Sequence, residues 1–319
     1  MTVDWLHRPE GGNALALRTL KALALTLGRT ASRLVLVPIA IYFLLRRAPE
    51  RRASRAYLAR VLGHPPTWLD VARHFHSFAG VTLDRLYFLT DSLWRFDIRF
   101  DGLEDLHRAM DMGRGVLLIG AHVGSFDALR AASTYRPDVT VRVVLDADHS
   151  PALSAILKEL NPRMAAGIIN PRQNGTAVAL EIGAALNAGS LVTMLADRGR
   201  PGNVTVSVDF LGDAAEFPTA PWQIAAALHV PVVLCVGLYR GGNRYDLHFE
   251  MVEEELRVDR RQRRHQLQRV VQQYADRLAA VVRTAPYNWF NFYDFWQEPA
   301  RRGAETGADG AYGARDASC

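Results

Sequence analysis

The chain has 319 residues, 49% of them hydrophobic and 22% charged, which excludes an intrinsically disordered protein and allows one large domain or two small ones. A chain of this size buries about 75% of the surface its unfolded form exposes, so its core needs neither disulfides nor a metal. Its net charge of +5 comes from 38 basic residues, of which only Lys21 and Lys158 are lysines, and that sign calls for an anionic partner: nucleic acid, anionic lipid or an acidic carrier protein. Zinc-finger spacing, an RNP-like aromatic motif and a basic-region heptad are all missing, which argues against nucleic acid. The two cysteines, Cys235 in the apolar run VPVVLCVGL and Cys319 in a polar tail, are not expected to pair, and a reducing compartment suits them.

In chain order, ALRTLKALALTLGRTASR places Arg18, Lys21, Arg29 and Arg33 within about 120° on a helical wheel, beside a Leu/Ala face. Twelve uncharged residues come next, Leu34 to Leu45, interrupted by Pro38. Twelve are too few for a bilayer core that needs about 20. Two readings are open: an interfacial helix running into a short Pro-kinked apolar segment, or a tilted single span starting near Leu23. An ordinary buried helix with snorkelling arginines is the bland alternative. Arg46, Arg47, Arg51, Arg52, Arg55 and Arg60 then favour a cytoplasmic location for the remainder of the chain. The depth of the apolar stretch and the want of a small-residue cleavage site speak against a cleaved signal peptide.

Beyond this segment, Pro66 to Ser92 reads as helix, WRFDIRFDGL as a strand, and Leu103, Leu106 and Met110 mark a helical face. VLLIG, VTVRVVL (139–145), GIIN and LVTML (191–195) read as short strands, alternating with helices over about 151–160 and 176–188. Next come VTVSVDFLG as strand and turn, PWQIAAALH as helix, Val230 to Leu238 as a buried strand and Tyr245 to Val252 as an edge strand. A long basic helix over 259–283 comes after them, and the Gly/Ala-rich tail from Pro299 reads as disordered. This alternation predicts an α/β fold with a mostly parallel sheet flanked by helices. The expected organisation is a membrane-associated helical segment over 1–60, the α/β domain over 61–298 and the tail over 299–319.

At the carboxyl end of VLLIG stands AHVGSFD, with His122 five residues before Asp127. In one helix these positions diverge by about 140°, but at a strand-to-helix turn they can converge, with Asp127 orienting the imidazole. Context rather than spacing singles the pair out, because His122 follows a buried strand at the sheet edge where open α/β folds build their sites. His248 and Glu253 share the spacing without that context. Two polar loops end neighbouring strands: NPRQNGT with Arg172, and ADRGR with Asp197, Arg198 and Arg200. Arginines there suit phosphate, with Asp197 holding one in place. A metal site drawing on His122, Asp127, Asp146, Asp148, His149 or Asp197 is conceivable but matches no standard ligand spacing, and none is expected. The elbow, P-loop, zincin and dinucleotide motifs are absent. Six aromatics between Trp289 and Trp296 read as core packing or an interfacial anchor, with an acyl-tunnel wall as the alternative.

Taken together, DGL, GRG, AHVGSFD, GIINPRQNGT, MLADRGRPG, DFLG and VPVV resemble the lysophospholipid acyltransferase superfamily, in its lipid A biosynthesis (lauroyl/myristoyl) branch, over roughly 15–296. The resemblance implies a glycerol-3-phosphate acyltransferase-like fold and catalysis by His122 and Asp127 as the His-x4-Asp motif. It also implies substrate binding by Arg172, by Asp197 with Arg198 or Arg200, and a Val-Pro motif at Val230 and Pro231. The usual Gly-Asn-Trp-Glu after the histidine is Gly-Ser-Phe-Asp here. The ending NWFNFYDFW looks more like divergent members found with aryl-polyene pigment pathways. The implied reaction passes an acyl chain from an acyl carrier protein thioester, carried on phosphopantetheine, to a hydroxyl or amine of a lipid or glycolipid, with no cofactor. The implied setting is the cytoplasmic face of the inner membrane, against an anionic surface. The rivals are a hydrolase turning the same His/Asp pair on water, and a non-catalytic membrane-surface protein in which His122 is structural.

Overall fold

The computed structural model describes residues 14–90, 92–129, 131, 139–146, 151–199 and 203–296. Three helices open the chain: α1 (Ala14–Arg46), α2 (Ala48–Leu62) and α3 (Trp68–Leu89). Inside α1 only Gly28 departs from helical backbone (φ 77°, ψ 174°). The break expected at Pro38 therefore lies ten residues earlier, where the residue without a Cβ takes a left-handed φ at little cost. α3 begins on a reciprocal cap: the Thr67 hydroxyl accepts from the Asp70 amide and the Asp70 carboxylate accepts from the Thr67 amide.

The rest alternates as expected. The strands are β1 (Asp97–Asp101), β2 (Val116–Gly120), β3 (Val141–Val144), β4 (Ile168–Ile169), β5 (Leu191–Leu195), β6 (Thr205–Phe210), β7 (Asp213–Pro218), β8 (Val232–Gly241) and β9 (Arg244–Glu253). Between them lie α4 (Leu103–Asp111), α5 (Pro151–Leu160), α6 (Pro162–Ala166), α7 (Gly175–Asn187) and α8 (Ala220–Leu228), and α9 (Arg263–Thr284) follows β9. Seven strands form one sheet in the order β1-β9-β8-β2-β5-β3-β4, parallel at every junction except β8 with β9, while β6 and β7 pair as a separate hairpin. β9, expected at an edge, is interior because β1 pairs outside it. Both strands alternate in burial, and alternation reports a strand's faces, not its neighbours.

Burial follows the pleat. Leu117 and Ile119 of β2 point into one core with Trp222, Tyr274 and Trp289, and Val116 and Leu118 point into the other with Phe88, Tyr245 and Phe249. Each such fully buried large side chain contributes on the order of 1.5–3 kcal/mol by transfer. Tyr57 and Leu58 of α2 belong to the first core, Ala24 and Leu36 of α1 to the second, so residues before position 60 pack directly on the α/β body.

The topology sets the site. From β2 the chain runs outward to β3, beyond β5, whereas from β5 it returns through the hairpin and α8 to β8, on the far side of β2. Connections thus leave neighbouring strands β2 and β5 in opposite directions. The crevice at their carboxyl ends is the switch point where open α/β sheets bind ligands.

Candidate active site

His122 follows β2 and Asp197 follows β5, on the two sides of that crevice. The loop carrying His122 is drawn against β8 by close backbone contact. The Ser125 amide donates to the Gly237 carbonyl (2.7 Å) and the Gly124 amide to the Asn288 carbonyl (2.8 Å). A Cβ at Gly124, whose φ is +56°, would stand 2.0 Å from the Gly237 oxygen, and one at Gly237 would stand 2.3 Å from the Ser125 oxygen. Only glycine fits at either position. The segment 288–291 runs alongside: the Phe290 amide donates to the His122 carbonyl at 2.8 Å, and Asn288 pairs its side chain with both backbone groups of Tyr239.

The imidazole partner is Asp197. His122 Nδ1 lies 2.8 Å from Asp197 Oδ1, and the His122 amide donates to Oδ2 at 3.0 Å. The same Oδ2 accepts from Trp289 Nε1 (3.1 Å) and Asn291 Nδ2 (3.0 Å). Burial alone would raise the carboxyl's pKa, but the His122 imidazole, the Arg198 guanidinium and the His122 amide outweigh it and hold Asp197 far below the usual carboxylate range. Asp197 is therefore an anion with no exposed surface, and the proton between the two groups resides on Nδ1. For His122, burial and then the Arg198 charge lower the pKa more than Asp197 raises it. The ring is neutral at neutral pH, with Nε2 as its proton acceptor. Its side chain keeps 29% exposure, and no described residue hydrogen-bonds Nε2.

Asp127 is placed differently from the sequence expectation. It opens a 3₁₀ turn, Asp127–Leu129, and its carboxylate pairs with Arg85 Nε of α3 at 2.7 Å. Among the described residues no hydrogen bond or ion pair joins it to His122. Arg198, expected to face phosphate, turns inward: its Nη2 donates to the Phe290 carbonyl (2.8 Å), its Nε to Asn291 Oδ1, and its guanidinium stacks over the Tyr293 ring. Arg172 stays half exposed at the end of β4, its Nε 2.7 Å from Asp146 at the end of β3. Arg200 lies outside the described residues, as do Asp148 and His149. Among the described residues no cluster of His, Cys, Asp or Glu has the makings of a metal centre.

Sequence reasoning missed Trp289 and Asn291 as partners of Asp197, and His74 behind them. His74 is fully buried, with Nε2 2.9 Å from the Trp289 carbonyl and Nδ1 2.9 Å from the Ser54 hydroxyl. The carbonyl only accepts, so Nε2 carries the proton. The available signal was polar: two asparagines inside the aromatic run NWFNFYDFW, each buried and paired. The aromatics themselves are core, Trp289 packing on Tyr57, Phe210 and Phe295.

The sequence matches one known family over nearly its whole length: bacterial lipid A biosynthesis acyltransferase, across residues 6–298. The chain belongs to that family. A comparison with curated proteins gave no match. Lipid A acyltransferase membership makes the protein an acyltransferase acting on lipid. It also accords with the one stretch among the described residues that is long and apolar enough to cross a membrane, Gly28–Arg46.

Proposed function

We propose that the protein moves an acyl chain from an acyl carrier protein thioester to a hydroxyl or amine of a lipid or glycolipid, at the cytoplasmic face of the inner membrane. The observation that carries this reading is the His122–Asp197 pair with Nε2 left open. Nε2 takes the proton of the acceptor group as its oxygen or nitrogen attacks the thioester carbonyl. The bond to sulfur breaks, and the imidazolium returns the proton to the departing phosphopantetheine thiolate. Asp197 keeps the ring in the Nδ1–H tautomer and stabilises the transient imidazolium. The thioester is already activated, so the step calls for no further cofactor. In this reading Arg172, half exposed at the end of β4, meets phosphate on the lipid or on the carrier's prosthetic arm.

Asp127 supports the site from behind, tying the His122 loop to α3 through Arg85. The departures from the branch's usual sequence, Gly-Ser-Phe-Asp and the aromatic ending, lie in that loop and in the segment beside it, so they bear on which acceptor and chain fit. The test is acyl transfer from a panel of carrier-protein thioesters, aryl-polyene chains included, to an extracted membrane-lipid fraction. Lipid product from the wild type, lost by about 10²–10⁴-fold in His122→Ala, is the expected result. Free acid as the sole product would make the protein a hydrolase, and full turnover by His122→Ala would remove the histidine from the chemistry.

A further inference from the structure

Among the described residues, none covers the outer face of α1. Leu34, Val37, Ile41 and Leu45, spaced to form one stripe, are all exposed, Leu34 at 71% and Leu45 at 66%. The stripe does not stop at the helix. Trp68 and Leu69, at the start of α3, are more than half exposed, and a groove of about 620 Å³ joins Val37 and Ile41 to Leu69. A contiguous apolar surface of this kind on two helices marks an interaction site.

The opposite face of α1 is fastened to the body. Asp84 of α3 has no exposed side-chain surface and takes Arg29 through two bonds (2.7 and 2.9 Å), Arg33 at 2.9 Å and the Tyr245 hydroxyl at 2.8 Å. Both arginines also donate to the Gly242 carbonyl at the β8–β9 turn. Ser32 and Leu36 are buried on the same side, and the Tyr87 hydroxyl donates to the Ala24 carbonyl. A helix crossing a bilayer would have to withdraw these groups and strand a buried carboxylate, at heavy cost.

We propose that α1 lies in the plane of an anionic membrane leaflet, its outer stripe sunk with Trp68 and Leu69 into the interface, and does not cross the bilayer. This rests on the membrane association given under the proposed function. Charge chooses the occupant. Exposed Arg46 follows Leu45 at the helix end, Arg55 sits over the Trp68 ring (4.6 Å), and Arg73, 57% exposed, borders the groove. An apolar band with an arginine rim fits acyl chains beneath phosphate headgroups. In this pose both α1 and the amino end of α3 touch lipid.

Depth measurement tests it on the full chain carrying Cys319→Ser. Cys235 is buried, which pushes its thiol up to about 12 and keeps it inert. Single cysteines replacing Leu34 or Leu45 carry a fluorophore, quenched by lipids labelled at graded depths in phosphatidylglycerol/phosphatidylcholine vesicles. The in-plane arrangement predicts the same shallow depth for both labels, and a weakening of vesicle binding by about tenfold or more in Ile41→Glu. A spanning helix separates the labels by about 16 Å in depth. That result overturns the in-plane arrangement and leaves membrane association standing. Failure to bind vesicles at all, with the stripe buried instead in a dimer, overturns both.

Discussion

At the scale of single residues, the site is a set of buried polar groups that satisfy one another. Asp197 has four donors and no exposed surface, and those donors are what allow an ionised carboxylate to persist in an apolar interior. His122 was legible because its position at the end of a buried strand is local information. Its partner was not, because Asp197 lies 75 residues away in sequence and only strand order brings β5 beside β2. The nearby Asp127 satisfied the spacing, yet Arg85, contributed by α3, claims it. His74 shows the same physics with a stability consequence. Burial lowers its pKa from 6.5 to about 4, so between these values the unfolded chain binds a proton that the folded one does not. The neutral ring's contribution is complete above pH 6.5 and fades as pH falls toward 4, by about 3 kcal/mol in all. Urea midpoints are expected to drop between pH 7 and pH 5 in the wild type and to drop less in His74→Gln; equal slopes would show that His74 does not carry the effect.

At the scale of elements, the strands and most helices were legible because their periodicity is strong: VLLIG, LVTML and the apolar face of 267–282 all stand where the pattern puts them. α2 was read as the arginine-rich end of the amino-terminal helical segment, without bounds of its own. Two of these arginines serve the fold: Arg51 donates to the Leu44 and Leu45 carbonyls at the end of α1, and Arg60 pairs with Asp213 at 2.7 Å. Likewise two members of the basic stripe of α1 serve the fold, since Arg29 and Arg33 are turned onto Asp84. The contact between the His122 loop and β8 depends on two glycines without Cβ atoms. Gly237→Ala, which places a Cβ 2.3 Å from the Ser125 oxygen, is expected to cost about 1–3 kcal/mol of stability and to lower activity with it. Thermal unfolding read alongside turnover checks this; an unchanged midpoint would mean that the loop approaches β8 less closely.

At the scale of the whole molecule, one sheet and its two cores bind the amino-terminal helices and the candidate site into a single body. The α/β class followed from the alternation of elements. The strand order did not, since right-handed crossovers leave the direction of each return open. That order places His122 and Asp197 on either side of the switch point, with Asp146 and Arg172 following the strands beyond. The Asp84 cluster joins α1, α3 and the β8–β9 turn, so its loss is a global event. Asp84→Ala leaves two largely buried guanidinium groups unpaired and is expected to cost about 3–5 kcal/mol, seen as a lower denaturant midpoint. A shift under about 1 kcal/mol, the worth of an exposed ion pair, would show that α1 is not held there.

That His122 acts as a neutral base held by Asp197 is tested most sharply by the pH dependence of kcat/KM for acyl transfer by the wild type, Asp197→Asn and Asp127→Asn. The wild-type rate is expected to rise through an inflection below 6.5, the ordinary histidine value, because burial and Arg198 lower the His122 pKa, and to level off by about pH 7. Asp197→Asn removes the group that raises that pKa, so it should lose about 10²–10⁴-fold in rate and move its inflection lower still, while Asp127→Asn keeps the wild-type inflection. An inflection that moves in Asp127→Asn and stays in Asp197→Asn would overturn this assignment and give the imidazole to the other carboxylate.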